Sequence, residues 1–194
     1  MTSTIIELRQ YTLRPGQWKV LNELFHRVLA EGQEAVGMSI MGWFHDLDRP
    51  DRFVWLRGFR DMPDRARALE AFYGGPVWAE HREAANATMI DSDDVLLLRP
   101  ARKRSSLVLG RFTEPIVVSI HRFPEPVGDN AVERVERELG PAWTTFVTEE
   151  SPNNFPALPV REGEHVVVRL SGRSDPGADE LLRLEVPSRS LGHR

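Results

Sequence analysis

Residues 5–16 read IIELRQYTLRPG, and residues 118–128 read VSIHRFPEPVG. Laid over one another from Ile6 at an offset of 112 positions, Leu8 meets Ile120, Tyr11 meets Phe123 and Gly16 meets Gly128. A short β-rich run closed by a Pro-Gly break is a strand followed by a turn. Its recurrence predicts a tandem repeat. Two further pairs support the repeat: LRGFRD (56–61) with LSGRSD (170–175), and SDDVLLL (92–98) with ADELLRL (178–184).

Outward from the first strand, Leu21, Leu24, Phe25, Val28 and Leu29 fall on one face of an amphipathic helix that ends near Gly37. Met38–Leu47 and Arg52–Phe59 read as strands joined by the turn signal Asp48-Arg49-Pro50-Asp51, which predicts a hairpin. Asp61 is placed to cap a helix with Pro63 in its first turn, running to about Tyr73 with Met62, Ala66, Leu69 and Tyr73 on one side. Gly74-Gly75-Pro76 interrupts it, a second helix covers about Val77–Thr88, and Asp91–Arg99 is a fourth strand. Strand, helix, strand, strand, helix, strand is the split β-α-β order of a ferredoxin-like fold.

The second half repeats this order with one deletion. Thirty residues separate Asp61 from Ser92, but two separate Asp175 from Ala178, so a helical segment is missing. The hairpin connection is longer there (SPNNFPALPVREGEH, 151–165). Four strands and one main helix, with Val132, Val135 and Leu139 facing the core, are expected. The predicted fold is therefore α+β: two tandem ferredoxin-like repeats packed sheet to sheet as a pseudo-dimeric α+β barrel, the second lacking most of its second helix. The expected division is residues 1–100, a linker over 101–115, and 116–194. The outer face left bare in the second repeat is to be covered either by residues 151–165 or by a second chain, which would make a homodimer.

IIELRQYTLRPG, DRFVWLRGF and FYGGPVWAEHREAANATM, in that order over about residues 4–100, resemble the NIPSNAP family. NNFPALPVREGE and LLRLEVPSRSL resemble the shortened second repeat of its two-repeat bacterial members. The resemblance places the chain in the wider dimeric α+β barrel group, which includes cofactor-free antibiotic-biosynthesis monooxygenases and EthD-like proteins. It implies the fold and carries no agreed reaction.

Composition narrows the function. There are no cysteines, which excludes disulfides, thiolate metal sites and a cysteine nucleophile. A net charge of −4 lacks the basic footprint of a nucleic-acid binder. No apolar run reaches the ~18–20 residues of a membrane span, and no signal peptide is expected, which points to the cytoplasm. No HExxH or clustered acid–histidine set predicts a metal. GxGxxG and GxxxxGK[ST] are absent, so no nucleotide cofactor is expected. The run Arg102, Lys103, Arg104 reads as part of a solvated linker.

Strand alternation sorts the side chains into two sets. Ile6, Leu8, Ile40, Gly42, Phe44, Val54, Leu56 and Gly58 form an apolar set that suits packing under helices. Glu7, Arg9, Tyr11, Met41, Trp43, His45, Phe53, Trp55 and Arg57 form a mixed set, expected to line the interface between the sheets or a cavity in it. Aromatic walls with a few convergent polar groups suit a small-molecule site. Arg9 or Arg57 could bind a carboxylate or enolate oxygen, Trp43 and Trp55 could stack on a ring, and His45 could move a proton. His121, the repeat counterpart of Arg9, favours a pocket shared between the halves. A second candidate is the helix from Val77, where Trp78 and His81 share an apolar face near Tyr73. The candidate catalytic residues are thus His45, His81 and Arg57. The candidate ligand-binding residues are Arg9, Tyr11, Trp43, Trp55, Tyr73, Trp78 and His121.

Two functions stay open. One is binding or transformation of a small aromatic or carbonyl-bearing molecule without metal or nucleotide, of monooxygenase or isomerase type. The other is a non-catalytic binding, interaction or structural protein, with paired Glu7, Arg9 and Arg57 and a filled core.

Overall fold

The computed structural model describes residues 3–102 and 115–187 of the chain. Most of the expected linker, and with it Lys103 and Arg104, lies outside the described residues. Arg102 is paired to Glu136 at 2.6 Å.

The first repeat opens with β1 (Ile5–Leu13), then a helix in three pieces: α1 (Trp18–Leu24), a wide π turn (Phe25–Leu29) and α2 (Ala30–Glu34). The hairpin β2 (Ser39–Asp46) and β3 (Arg52–Phe59) follows, then α3 (Met62–Tyr73), α4 (Pro76–Thr88) and β4 (Met89–Pro100). Asp61 caps α3 by accepting from the Asp64 amide at 2.8 Å, with proline in the first turn. The second repeat is β5 (Ile116–Phe123), α5 (Asp129–Leu139), β6 (Thr144–Thr148), β7 (His165–Ser171) and β8 (Glu180–Glu185). Among the described residues, four strands and one helix stand there, as expected.

These strands close into one antiparallel barrel in the order β1-β3-β2-β8-β5-β7-β6-β4. The repeats join at two seams. His45 pairs with Glu185 across β2 and β8, and Leu98 pairs with Thr148 across β4 and β6. β1 and β5 lie diametrically opposite in the ring. The 112-residue offset reappears in the register. Leu8 faces Leu56 and Ile120 faces Val168, while Glu7 faces Arg57 and Ser119 faces Arg169. The counterpart of Leu56 is thus Val168 and not Leu170, which corrects the pairing of LRGFRD with LSGRSD.

The two strand faces are the reverse of the expectation. Ile6, Leu8, Phe44, Val54 and Leu56 fill the barrel lumen together with Ile116, Val118, Ile120, Val168 and Leu182. Tyr11, Trp43, Phe53 and Trp55 lie instead under the helices, against Leu21, Phe25, Leu29 and Phe72. Closure gives the physical reason. The middle of the lumen is walled on all sides by strands and offers no partner for a charge, whereas the helical layer brings its own polar groups. A register shift between Ile40 and Gly42 breaks the alternation of β2, turning Met41 to the lumen side and Ile40 to the helices.

The connection between β6 and β7, residues 149–164, does not cover its own repeat. It crosses to the first one, where Phe155, Leu158 and Val160 pack on the helix-side core. Among the described residues nothing covers the outer side of β8, where Leu181 is 42% exposed.

Candidate functional site

Between the first repeat's strands and helices lies a cluster of buried charge centred on Glu7. β1 presents Glu7 and Arg9 on one face, and β3 sets Arg57 directly across from Glu7. α3 contributes Arg65, because its buried stripe is Arg65, Ala68, Leu69 and Phe72 rather than the expected Met62, Ala66, Leu69 and Tyr73. Glu7, Arg57 and Arg65 are 0% exposed.

The bonds converge on one carboxylate. Glu7 Oε2 accepts from Arg9 Nη1 and from Arg57 Nε, and Glu7 Oε1 accepts from Arg65 Nε, each at 2.7 Å. Burial alone would push the Glu7 carboxyl up, but Arg57, Arg9 and Arg65 outweigh it and hold the group far below the usual carboxylate range. Glu7 is therefore an anion at any physiological pH and cannot serve as a general acid or base.

The remaining guanidinium nitrogens are met by neutral groups. Arg9 Nε donates to the Tyr11 hydroxyl at 3.0 Å, and Arg57 Nη1 donates to Gln33 Oε1 at 2.8 Å. The Arg57 guanidinium lies over Trp55 and Phe59, and that of Arg9 over Tyr11 and Trp55, in cation–π geometry. Arg65 Nη1 donates to Asn153 Oδ1 at 3.0 Å and Asn154 Oδ1 at 2.7 Å. Among the described residues, Arg65 Nη2 is buried with no hydrogen-bond acceptor. Arg57 Nη2 lies 2.7 Å from Glu7 Oε2 but makes no hydrogen bond with it.

Among the described residues, three guanidiniums thus meet a single carboxylate, an excess of two positive charges. The environment resists the third cation. Burial lowers the proton affinity of Arg65, Glu7 raises it, and Arg57 and Arg9 lower it again. Burial likewise pushes the Tyr11 phenol up and keeps it protonated.

Beside the cluster stands a partly exposed aromatic group. Tyr73 stacks on Phe155 at 6.1 Å and meets Trp78 edge-on at 5.0 Å. Its phenol is close enough to act electrostatically on both Arg9 and Tyr11. A cleft of about 210 Å³ runs between residues 149–165 and Leu97, with Asn153 and Val160 in its wall.

The second repeat holds a counterpart in which charge is balanced. Arg169, in the place of Arg57, has its Nε 3.0 Å from Asp175. Its η nitrogens donate to the Val135 and Gly140 carbonyls at the end of α5, at 3.2 and 2.7 Å. His121, in the place of Arg9, lies 3.5 Å from the same Asp175 oxygen. Since β1 and β5 are opposite in the ring, Arg9 and His121 belong to two separate sites under different helices, not to one shared pocket.

Of the residues singled out in the sequence, the fold brings together Arg9, Tyr11, Trp55, Arg57, Tyr73 and Trp78. Trp43 lies further along, donating to Asn22 at 2.8 Å and packing on Phe25. His45 sits 4.5 Å from Trp18 and 3.1 Å from the Pro50 carbonyl, on a different cleft of about 470 Å³ that includes Glu185. His81 shares the face of α4 that carries Ala85 and Thr88 but is only partly buried there, 27% exposed and 4.0 Å from Glu80. Sequence reasoning missed Arg65, Gln33, Asn153, Asn154 and Phe155. Among the described residues, no group of three or more His, Cys, Asp or Glu is placed to hold a metal ion.

No curated protein matches the chain. Solved structures similar to it include an uncharacterized NIPSNAP-like domain protein from Burkholderia xenovorans, 27% identical, covering 55% of this chain and 91% of that one at a TM-score of 0.49. A NIPSNAP family protein of unknown function from Agrobacterium tumefaciens is 19% identical, covering 52% and 91% at a TM-score of 0.48. A protein from Lactobacillus acidophilus, provisionally assigned as a monooxygenase, is 12% identical and covers 89% of this chain and 78% of its own at a TM-score of 0.50, a likeness of fold across both repeats. The sequence pattern of the NIPSNAP family matches residues 6–103, just over half of the 194 residues, and the chain belongs to that family.

Proposed function

We propose that the chain binds a small planar carboxylate between the helices and the sheet of its first repeat. One observation carries this reading: the two buried positive charges in excess around Glu7, with Arg65 Nη2 left without an acceptor. Buried donors are seldom left unpaired, and an uncompensated buried charge is costly. Guanidinium forks match carboxylates in shape and charge. The aromatic side chains of Tyr73, Trp78 and Phe155 supply flat apolar walls for a ring.

Arg9 and Arg65 would take the carboxylate, and Tyr11 would hold Arg9 in place. Arg57 stays bound to Glu7 and sets the local field. If the bound molecule is transformed, the phenols of Tyr11 and Tyr73 are the groups at hand to move a proton. His45 lies on a different cleft and His121 beside Asp175 in the second repeat, and neither has a part in this reading.

The test compares benzoate with benzamide, its neutral isostere, by isothermal titration calorimetry. Benzoate is expected to bind in the micromolar to millimolar range, about −4 to −8 kcal/mol. Benzamide should bind at least ~100-fold more weakly, and Arg9→Met should remove the preference. Equal affinity for the two compounds, or no binding of either, overturns the reading in favour of a purely structural ion cluster.

A further inference from the structure

The cluster is enclosed, so a carboxylate reaches it only if some covering element moves. The helical cover is held by fully buried apolar side chains. Leu21, Phe25 and Leu29 anchor the first helix, and Ala68, Leu69 and Phe72 anchor α3. The third cover, the crossing connection from the second repeat, is held by fewer buried apolar side chains and by polar bonds, among them Asn154 Nδ2 donating to the Met62 carbonyl at 2.6 Å. Its apolar residues Phe155, Leu158 and Val160 are each only partly buried. Cover with few buried contacts opens at lower free energy than cover with many.

The connection is built as a body with fixed ends. At one end the Glu149 amide donates to the Leu97 carbonyl at 2.9 Å. At the other the Arg161 amide donates to the Val95 carbonyl at 2.8 Å, and its guanidinium reaches Asp94, Glu164 and Glu180. Between the ends the chain closes on itself. Asn153 Nδ2 donates to the Leu158 carbonyl at 2.9 Å, the Phe155 amide donates to Asn153 Oδ1 at 3.1 Å, and the Leu158 amide donates to the Phe155 carbonyl at 3.0 Å. A loop with tethered ends and its own internal bonds moves as a unit.

What this unit offers Arg65 is two carboxamide oxygens, from Asn153 and Asn154. Each is a neutral acceptor placed where a charged one would bind more strongly. A cleft of about 210 Å³ borders the same stretch, with Asn153 and Val160 in its wall. We propose that residues 150–160 form a strap gating the arginine cluster, in which Asn153 and Asn154 hold Arg65 as stand-ins that an incoming carboxylate displaces.

This inference rests on the carboxylate-binding reading and deepens it. It assigns the second repeat a role at the first repeat's site. It also makes Asn153 and Asn154 determinants of affinity, because the free energy of breaking their bonds is subtracted from that of binding.

Two measurements with benzoate test it. In hydrogen–deuterium exchange, saturating benzoate should change the protection of the backbone amides of 150–160 more than that of α3 or α4. In calorimetry, the double variant Asn153→Ala/Asn154→Ala should bind benzoate at least about tenfold more tightly than the natural chain, since less of its population is closed. A merely structural strap gives the opposite, weaker binding in the variant. Should benzoate bind the natural chain while strap exchange and variant affinity both stay unchanged, the gate is refuted and the binding reading stands. Should benzoate not bind at all, both fall.

Discussion

Replacing Glu7 by Gln and replacing Arg9 by Met move the buried charge in opposite directions. Glu7→Gln removes the carboxylate that three guanidiniums share and raises the excess from two charges to three. It weakens three bonds of 2.7 Å, and the new amide nitrogen is a donor facing donors. Charge-assisted bonds contribute about 1.5–3 kcal/mol each, which bounds the loss near ~9 kcal/mol. The glutamine oxygen keeps part of this, and breaking a buried ion pair costs about 3–5 kcal/mol, so a loss of about 4 kcal/mol is expected. Arg9→Met lowers the excess to one. Glu7 keeps its bonds to Arg57 and Arg65, and the unbranched methionine retains packing against Tyr11 and Trp55. The Tyr11 hydroxyl loses its 3.0 Å partner, which costs about 1–3 kcal/mol, and relief from one desolvated cation offsets it. The net change should lie within about 1.5 kcal/mol of zero. Urea unfolding followed by fluorescence of the five tryptophans reads both values. If Arg9→Met costs as much as Glu7→Gln, the cluster is balanced as it stands and the charge-excess reasoning is refuted.

Two other outcomes follow from the same contacts. The carboxyl of Glu7 is depressed in the folded chain, so its contribution is complete above the unfolded value of about 4.3 and is lost as pH falls. Because the folded value lies far lower, the stability gap between the natural chain and Glu7→Gln should close by about 1.4 kcal/mol per pH unit below pH 4, measured by urea unfolding at pH 6, 4 and 3; a constant gap contradicts it. At Gly32 in α2, an added Cβ would lie 2.8 Å from Val77 Cγ1 and 3.3 Å from Phe72, so Gly32→Ala should destabilise by about 1–3 kcal/mol despite alanine's better helix propensity. Combining it with Val77→Ala should recover part of that loss in thermal unfolding, and no recovery would remove the steric explanation.

The element order was legible because its signals are local. Asp61-Met62-Pro63 marks a helix start, Asp48–Asp51 marks a hairpin turn, and the 112-residue recurrence marks a repeat. The facing of the strands was not legible. Alternation says that two faces differ, but an apolar face fits a barrel lumen as well as a helical layer, and only closure of the ring decides. Arg65 escaped notice because a charge at one position of an apolar stripe reads as solvent-exposed until Glu7, 58 positions away, is brought beneath it. Asn153 and Asn154 were visible only as part of a long connection. Their meeting with Arg65 spans 88 and 89 positions and crosses from one repeat to the other. Tyr11, Arg9 and Arg57 were found because an aromatic and charged strand face is conspicuous, although the surroundings expected for it were the wrong ones, and Tyr73 was found as the neighbour of the helix from Val77.

Diffraction from crystals grown with 4-bromobenzoate tests the central claim most directly, since the bromine locates the ligand by anomalous scattering. The account predicts bromine among Tyr73, Trp78 and Phe155, and the carboxylate hydrogen-bonded to Arg65 or Arg9 with Asn153 and Asn154 displaced. Bromine bound elsewhere, with both asparagines still on Arg65 at saturating ligand, would contradict it.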